Sequence, residues 1–243
     1  MSELLVPALF AGLMLPTLVS GFGYRQERAT LRTAVHRLVA QLSYVAVLAA
    51  SYALGLFTWD DVGLVAGGSL VVAAGFGGLA YYVLGRVWAQ LASAQPAVTT
   101  HRPIRTGLKK QIGSYRALVP SSPLAYALTA LALAINPFTE EIITRGILVV
   151  MLGHALGSAW LGIAVGLLVN VLVHIYQGRA NLTYHVLFYA ATVALLYSPV
   201  GLAGAIACHL AADLGALVFA RRTLEQWRAL ASEERRLAIE AAG

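Results

Sequence analysis

The chain has 243 residues, 59% of them hydrophobic and only 12% charged, with a mean hydropathy of +0.73. A soluble domain of this length carries about twice that charged fraction, and no single aqueous core could hide so much apolar surface, so lipid is the solvent that the composition asks for. The net charge of +6 sits in short basic clusters between apolar runs, not in a basic stripe alternating with aromatics. That pattern excludes nucleic acid as a partner and fits the cytoplasmic excess of Lys and Arg in membrane proteins.

The first apolar run, residues 4–24, follows Met-Ser-Glu and lacks the basic start of a cleavable signal, so it is expected to remain as a span. A basic stretch with Arg25, Arg28, Arg32 and Arg37 precedes a second span at 38–57, which ends at the acidic turn Asp60–Asp61. The third, 62–84, carries Gly67, Gly68, Gly75, Gly77 and Gly78, a density that should let neighbouring helices approach closely. The longest polar segment, 86–116, includes Pro96, His101, Arg102, Arg105, Lys109 and Lys110 and is expected to hold a short amphipathic helix on the membrane surface. Apolar runs then recur at 117–135, 142–156, 159–175, 182–197 and 200–220, before a charged, partly amphipathic tail at 221–243.

The expected fold is all-α, a polytopic transmembrane helix bundle of seven to eight spans. Its parts are N-terminal transmembrane helices over 1–90, a basic interfacial linker over 91–116, a transmembrane core over 117–220 and the tail 221–243. Placing the three basic clusters on one side favours seven full spans, with the incomplete one in 117–156, where Pro137 and three ionisable residues interrupt the run. Few lysines beside many arginines, alanines and leucines suggest a bacterial cell membrane as the location. The single cysteine, Cys208, excludes an intrachain disulfide and reads as a packing residue.

Ionisable groups at membrane depth cost about 2.5–3.5 kcal/mol each on insertion scales and are functional candidates for that reason. In Pro137-Phe-Thr-Glu-Glu-Ile-Ile-Thr-Arg-Gly146, Pro137 is expected to close one segment and Thr139 to cap the next, placing Glu140 and Glu141 in a first helical turn. Glu141 and Arg145, four apart, share a face and can pair, while Glu140 points elsewhere. One carboxylate would then be neutralised and its neighbour left free. His209 and Asp213 are likewise four apart on an apolar helix, and His174 shares a face with Gly166 and Asn170, which suggests that it looks into the bundle. His185 reads as structural or as lining the same cavity, and His36, His101 and His154 as interfacial. These groups could equally form a buried ion-pair cluster that staples helices together.

The order Glu-Glu-x-x-x-Arg, an isolated His on the next helix, then His-x-x-x-Asp resembles the CPBP group, the type II CAAX prenyl endopeptidases and their bacterial relatives, also called the ABI family. The resemblance covers residues 117–220. It implies that Glu140 and His174 activate a water for attack on a peptide carbonyl, that His209 and the residue at 213 stabilise the oxyanion, and that Glu141 and Arg145 support them. Two positions depart from the group's pattern. Asn170 stands where an aromatic is usual, which would alter the substrate groove, and Asp213 stands where Asn is frequent. An ionised Asp cannot donate a hydrogen bond, so either burial keeps Asp213 protonated or, as is favoured, Asp213 orients His209 and leaves donation to the imidazole alone.

The partners implied are a peptide or membrane-protein substrate and the lipid bilayer. No metal is expected, although Glu, His, His and Asp in one cavity make Zn²⁺ the alternative cofactor. Two other functions use the same residues: a non-proteolytic scaffold or immunity protein on this fold, and a proton-coupled transporter with the acids and histidines as a relay.

Overall fold

The computed structural model describes residues 6–7, 10, 29–64, 70–93, 115–116, 118–174 and 179–240. Most of the expected first span and of the polar segment, including its surface helix, lies outside these residues. Every regular element among those described is helical. They are α1 (Leu31–Ala53), α2 (Leu70–Ser93), α3 (Pro123–Glu141), a π-helical segment (Ile142–Met151) continued by α4 (Leu152–Ala155), α5 (Ala159–His174), α6 (Arg179–Leu196) and α7 (Gly201–Glu240).

Helix α1 begins seven residues before the expected span, because Thr30 is a strong cap. Its hydroxyl accepts from the Thr33 amide at 3.2 Å, while the Thr30 amide donates to the Thr33 hydroxyl at 2.7 Å. Arg32 and Arg37 therefore ride on the first turns of the helix and not in a loop. The helix ends at Gly55, whose φ of 68° gives the left-handed turn that halts it. Beyond it, Thr58 and Asp61 bond each other reciprocally, forming the acidic turn.

Chain continuity through Pro137 overturns one expectation. Pro137 does not end a segment and Thr139 does not cap one; Pro137 lies inside α3, which runs on into the π-helical turns. A proline leaves the carbonyl four residues earlier without its donor and pushes against it. Here that strain precedes a stretch of wider turns, in which the Leu152 amide reaches back five residues to the Ile147 carbonyl. The Thr144 hydroxyl takes up the Glu140 carbonyl at 2.6 Å. Residues 140 and 141 thus lie in mid-helix, and the macrodipole of a first turn does not act on them.

Helix α1 packs on α3; α7 lies against α2, α3 and α6; α5 lies against the π-helical segment and α6. Two helices, Leu31–Ala53 and Gly201–Glu225, are long and apolar enough to cross a membrane, and three apolar ones are shorter: Val71–Val83, Ala159–His174 and Leu182–Leu196. Two of the expected seven to eight spans are thus of full length among the described residues; the helix that carries Asn136, Glu140 and Glu141 is more polar, and the other apolar helices are shorter. Apolar side chains nevertheless cover the outside: Val71 and Trp160 are each 80% exposed, and Leu42, Leu79, Leu168 and Phe219 also point outward. An outer face of this kind is what a lipid solvent would leave.

Of the glycines on α2, Gly77 makes the close approach, whereas Gly75 and Gly78 face open space. A Cβ at 77 would stand 2.6 Å from the backbone nitrogen of Cys208 on α7. Gly77→Leu should therefore destabilise the protein by about 1–3 kcal/mol through overpacking, read as a lowered thermal midpoint in detergent, while Gly78→Ala leaves the midpoint unchanged.

Candidate active site

Glu141 and Arg145 are both wholly buried. The Glu141 Oε2 atom lies 3.1 Å from Arg145 Nε, as the four-residue spacing suggests. Arg145 Nε–H, however, is aimed at the Thr192 hydroxyl on α6 at 3.0 Å, and its Nη1 donates to the Thr144 hydroxyl at 2.6 Å. No hydrogen bond reaches Glu141 Oε2, so attraction between the two charges, not a directed bond, holds this pair. The guanidinium also sits over the Tyr189 ring, 4.6 Å from its centroid.

The second oxygen of Glu141 reaches across to α7, where it accepts from His209 Nδ1 at 2.7 Å. That bond fixes the ring and turns Nε2 away from Glu141. It also corrects the expected role of Asp213. The nearest Asp213 oxygen is 3.7 Å from His209 Nε2, beyond hydrogen-bonding distance, so Glu141 and not Asp213 orients the imidazole. A four-residue spacing put both on one face but did not show which acid would take the ring.

Glu140 has a different environment. It is half-buried, and Asn136 Nδ2 donates to its Oε2 at 3.2 Å. The same nitrogen donates to Asp213 Oδ2, also at 3.2 Å, so one amide bridges carboxylates from α3 and α7. Asn136 Oδ1 in turn accepts from Gln41 Nε2 on α1 at 2.8 Å, and Gln41 Oε1 accepts from the Thr139 hydroxyl at 2.9 Å. Neither Asn136 nor Gln41 was singled out from the sequence. Asn136 could have been found, because it stands one turn before Glu140; Gln41 is an amide in an apolar helix with no local hint of its partner.

His174, at the end of α5, donates from Nδ1 to the Asn170 carbonyl at 2.8 Å, which leaves Nε2 as its accepting nitrogen. The face carrying Gly162, Gly166, Asn170 and Val173 is buried. Asn170 itself is 1% exposed, and its Nδ2 has no hydrogen-bond partner. The His174 ring stacks on His185 of α6, with centroids 3.8 Å apart, so His185 joins the cluster directly. Phe188 of α6 meets His209 edge-on at 5.0 Å.

Glu140 lies within electrostatic range of His209, His174 and Arg145, and Asp213 within range of His209, Glu140 and His174. The structure thus brings Glu140, His174, His209 and Asp213 together from α3, α5 and α7. Glu140, His174 and Asp213 are half-buried, while Glu141, Arg145 and His209 are buried. Among the described residues, no three His, Cys, Asp or Glu side chains are arranged to hold a metal ion.

Residues 122–215 match the family described as type II CAAX prenyl endopeptidase Rce1-like. The match starts at Ser122, the N-cap of α3, and extends just past Asp213. It therefore contains each site residue named so far except Gln41. No curated protein and no solved structure matches the chain. Over residues 122–215 the chain is thus similar to the type II CAAX prenyl endopeptidases, a family of membrane-embedded proteases.

Proposed function

We propose that this protein is a multi-pass membrane endopeptidase that hydrolyses a peptide bond at or within the bilayer, with Glu140 as general base. The observation that carries the reading is the division between two adjacent acids. Glu141 is committed to Arg145 and His209, whereas Glu140 is half-buried, held by one amide and within range of two imidazoles.

In the proposed reaction a water lies between the Glu140 carboxylate and the accepting Nε2 of His174. Glu140 removes a proton as the water oxygen attacks the peptide carbonyl. The developing oxyanion takes a hydrogen bond from His209 Nε2, which can donate only as imidazolium, because Nδ1–H is already engaged by Glu141. Glu141 and Asp213 supply the negative charge that such a cation requires. When the intermediate collapses, the C–N bond breaks and Glu140 returns the proton to the leaving amine.

This chemistry is proposed to need no metal, and the substrate is a peptide or a membrane-protein segment. Zn²⁺ remains the alternative that a chelator tests: cleavage should persist in EDTA and 1,10-phenanthroline, and loss restored by zinc would replace the metal-free route.

The decisive measurement compares cleavage of a peptide library by the purified protein with cleavage by two variants. Glu140→Gln should lower kcat by about 10²–10⁴-fold and leave the thermal midpoint unchanged, since a glutamine oxygen can still accept from Asn136. Glu141→Gln should instead destabilise the fold by about 3–5 kcal/mol, because it strands a buried guanidinium. Undiminished function in Glu140→Gln would favour a scaffold, and flux driven by a pH gradient in proteoliposomes without cleavage products would favour a transporter.

A further inference from the structure

The hydrogen bonds around Asn136 run in one direction. The Thr139 hydroxyl donates to Gln41 Oε1, Gln41 Nε2 donates to Asn136 Oδ1, and Asn136 Nδ2 donates to Glu140 and Asp213. Each amide has one orientation that satisfies this chain. If the Asn136 side chain turned over, its oxygen would face two carboxylates and its NH₂ group would face the Gln41 donor. The two carboxylates only accept, so they fix which end of the Asn136 amide faces them, and Gln41 holds the other end by donating to Oδ1. The Thr139 hydroxyl, which also lies 3.0 Å from the Asn136 carbonyl, tethers Gln41 to α3.

The outer member of this chain belongs to α1, which lies outside residues 122–215 and packs against α3. A second contact fixes α1 along its length. The Tyr52 ring stacks on Trp59 with centroids 5.0 Å apart, and Trp59 meets Phe138, the residue before Thr139, at 6.4 Å. The helix is thus held beside the acids by an aromatic contact and by a polar one.

We propose that Asn136 and Gln41 are positioning residues, and that through them α1 forms part of the catalytic apparatus and is not only an anchor. Asn136 ties the carboxylates of two helices to a common nitrogen, which sets where Glu140 stands relative to the substrate-facing space. Gln41 acts through Asn136, by holding the oxygen end of its amide in place. The inference deepens the hydrolytic reading and depends on it, but the clasp also has a readout that does not need catalysis.

The test uses the full chain, purified in detergent, with a peptide substrate that the wild type cleaves. Asn136→Ala should lower kcat by about 10–100-fold through misplacement of the base, with KM within about 2-fold of wild type. Asn136→Asp, although the same shape, should lose at least as much, because it sets a third carboxylate against the other two. Gln41→Leu should lose about 3–10-fold, and the double variant Gln41→Leu/Asn136→Ala no more than Asn136→Ala alone, since one residue acts through the other. Multiplying losses, an effect carried by KM alone, or wild-type kcat in Asn136→Asp would overturn the proposal. Should Asn136→Ala fail to fold, Gln41→Glu replaces it. That variant still accepts from Thr139 but has no proton for Asn136 Oδ1, so it should fall at least as far as Gln41→Leu, and a wild-type kcat would overturn the proposal. A wild type that cleaves no peptide refutes the hydrolytic reading instead. The clasp is then judged by thermal midpoints, where non-additive shifts for positions 41 and 136 sustain it and additive ones overturn it.

Discussion

Glu141 holds the site together because its two oxygens face partners on different helices. Its two oxygens face Arg145 on its own helix and His209 on α7, and all three side chains are buried. In such a medium an unpaired charge is costly, and breaking a pair costs more than never having made one. Arg145 extends the constraint to α6 through Thr192 and the Tyr189 ring. The Tyr189 hydroxyl extends it again to the Ile163 carbonyl of α5. One carboxylate therefore helps to fix the relative positions of the four helical segments that carry the clustered residues.

This arrangement gives neighbouring acids different work. Glu140 follows the same backbone but leaves it in another direction, so the clamp that engages Glu141 cannot reach it. Adjacent residues of a helix point about 100° apart, and Thr144 binds the carbonyl of Glu140 itself. Helix α7 is backed by α2 at Gly77, one residue away from His209 in the register of Cys208.

What could be read from the sequence was what depends on local spacing. The all-helical character follows from long apolar runs, the Glu141–Arg145 pair from four residues of helix, and the inward face of α5 from Gly166 and Asn170. What could not be read depends on which helix lies beside which. Gln41 and Asn136 are 95 residues apart, and Glu141 and His209 are 68 apart. Nothing local tells an Asn in an apolar run that two carboxylates will converge on it. The assignment of His209 to Asp213 failed for the same reason, since a shared helix face was outweighed by a better-placed acid from another helix. The break expected at Pro137 followed the ordinary rule for proline in a helix. Here the helix carries Pro137 in its interior and continues without a break into the wider turns from Ile142.

The charges in the cluster bear on how an acid and a base could coexist within it. Three carboxylates, Glu140, Glu141 and Asp213, face one guanidinium, and the imidazoles of His174, His185 and His209 lie among them. His209 is bracketed by carboxylates at both ring nitrogens, whereas His174 meets a carbonyl at Nδ1 and a second imidazole at its face. The two histidines therefore have unlike surroundings, which in the proposed reaction suits one to donate to the oxyanion and the other to accept from water. In the proposed reaction that asymmetry lets Glu140 work as a base a few ångströms from a cation without being tied to it, because Asn136 and not a charge holds it in place.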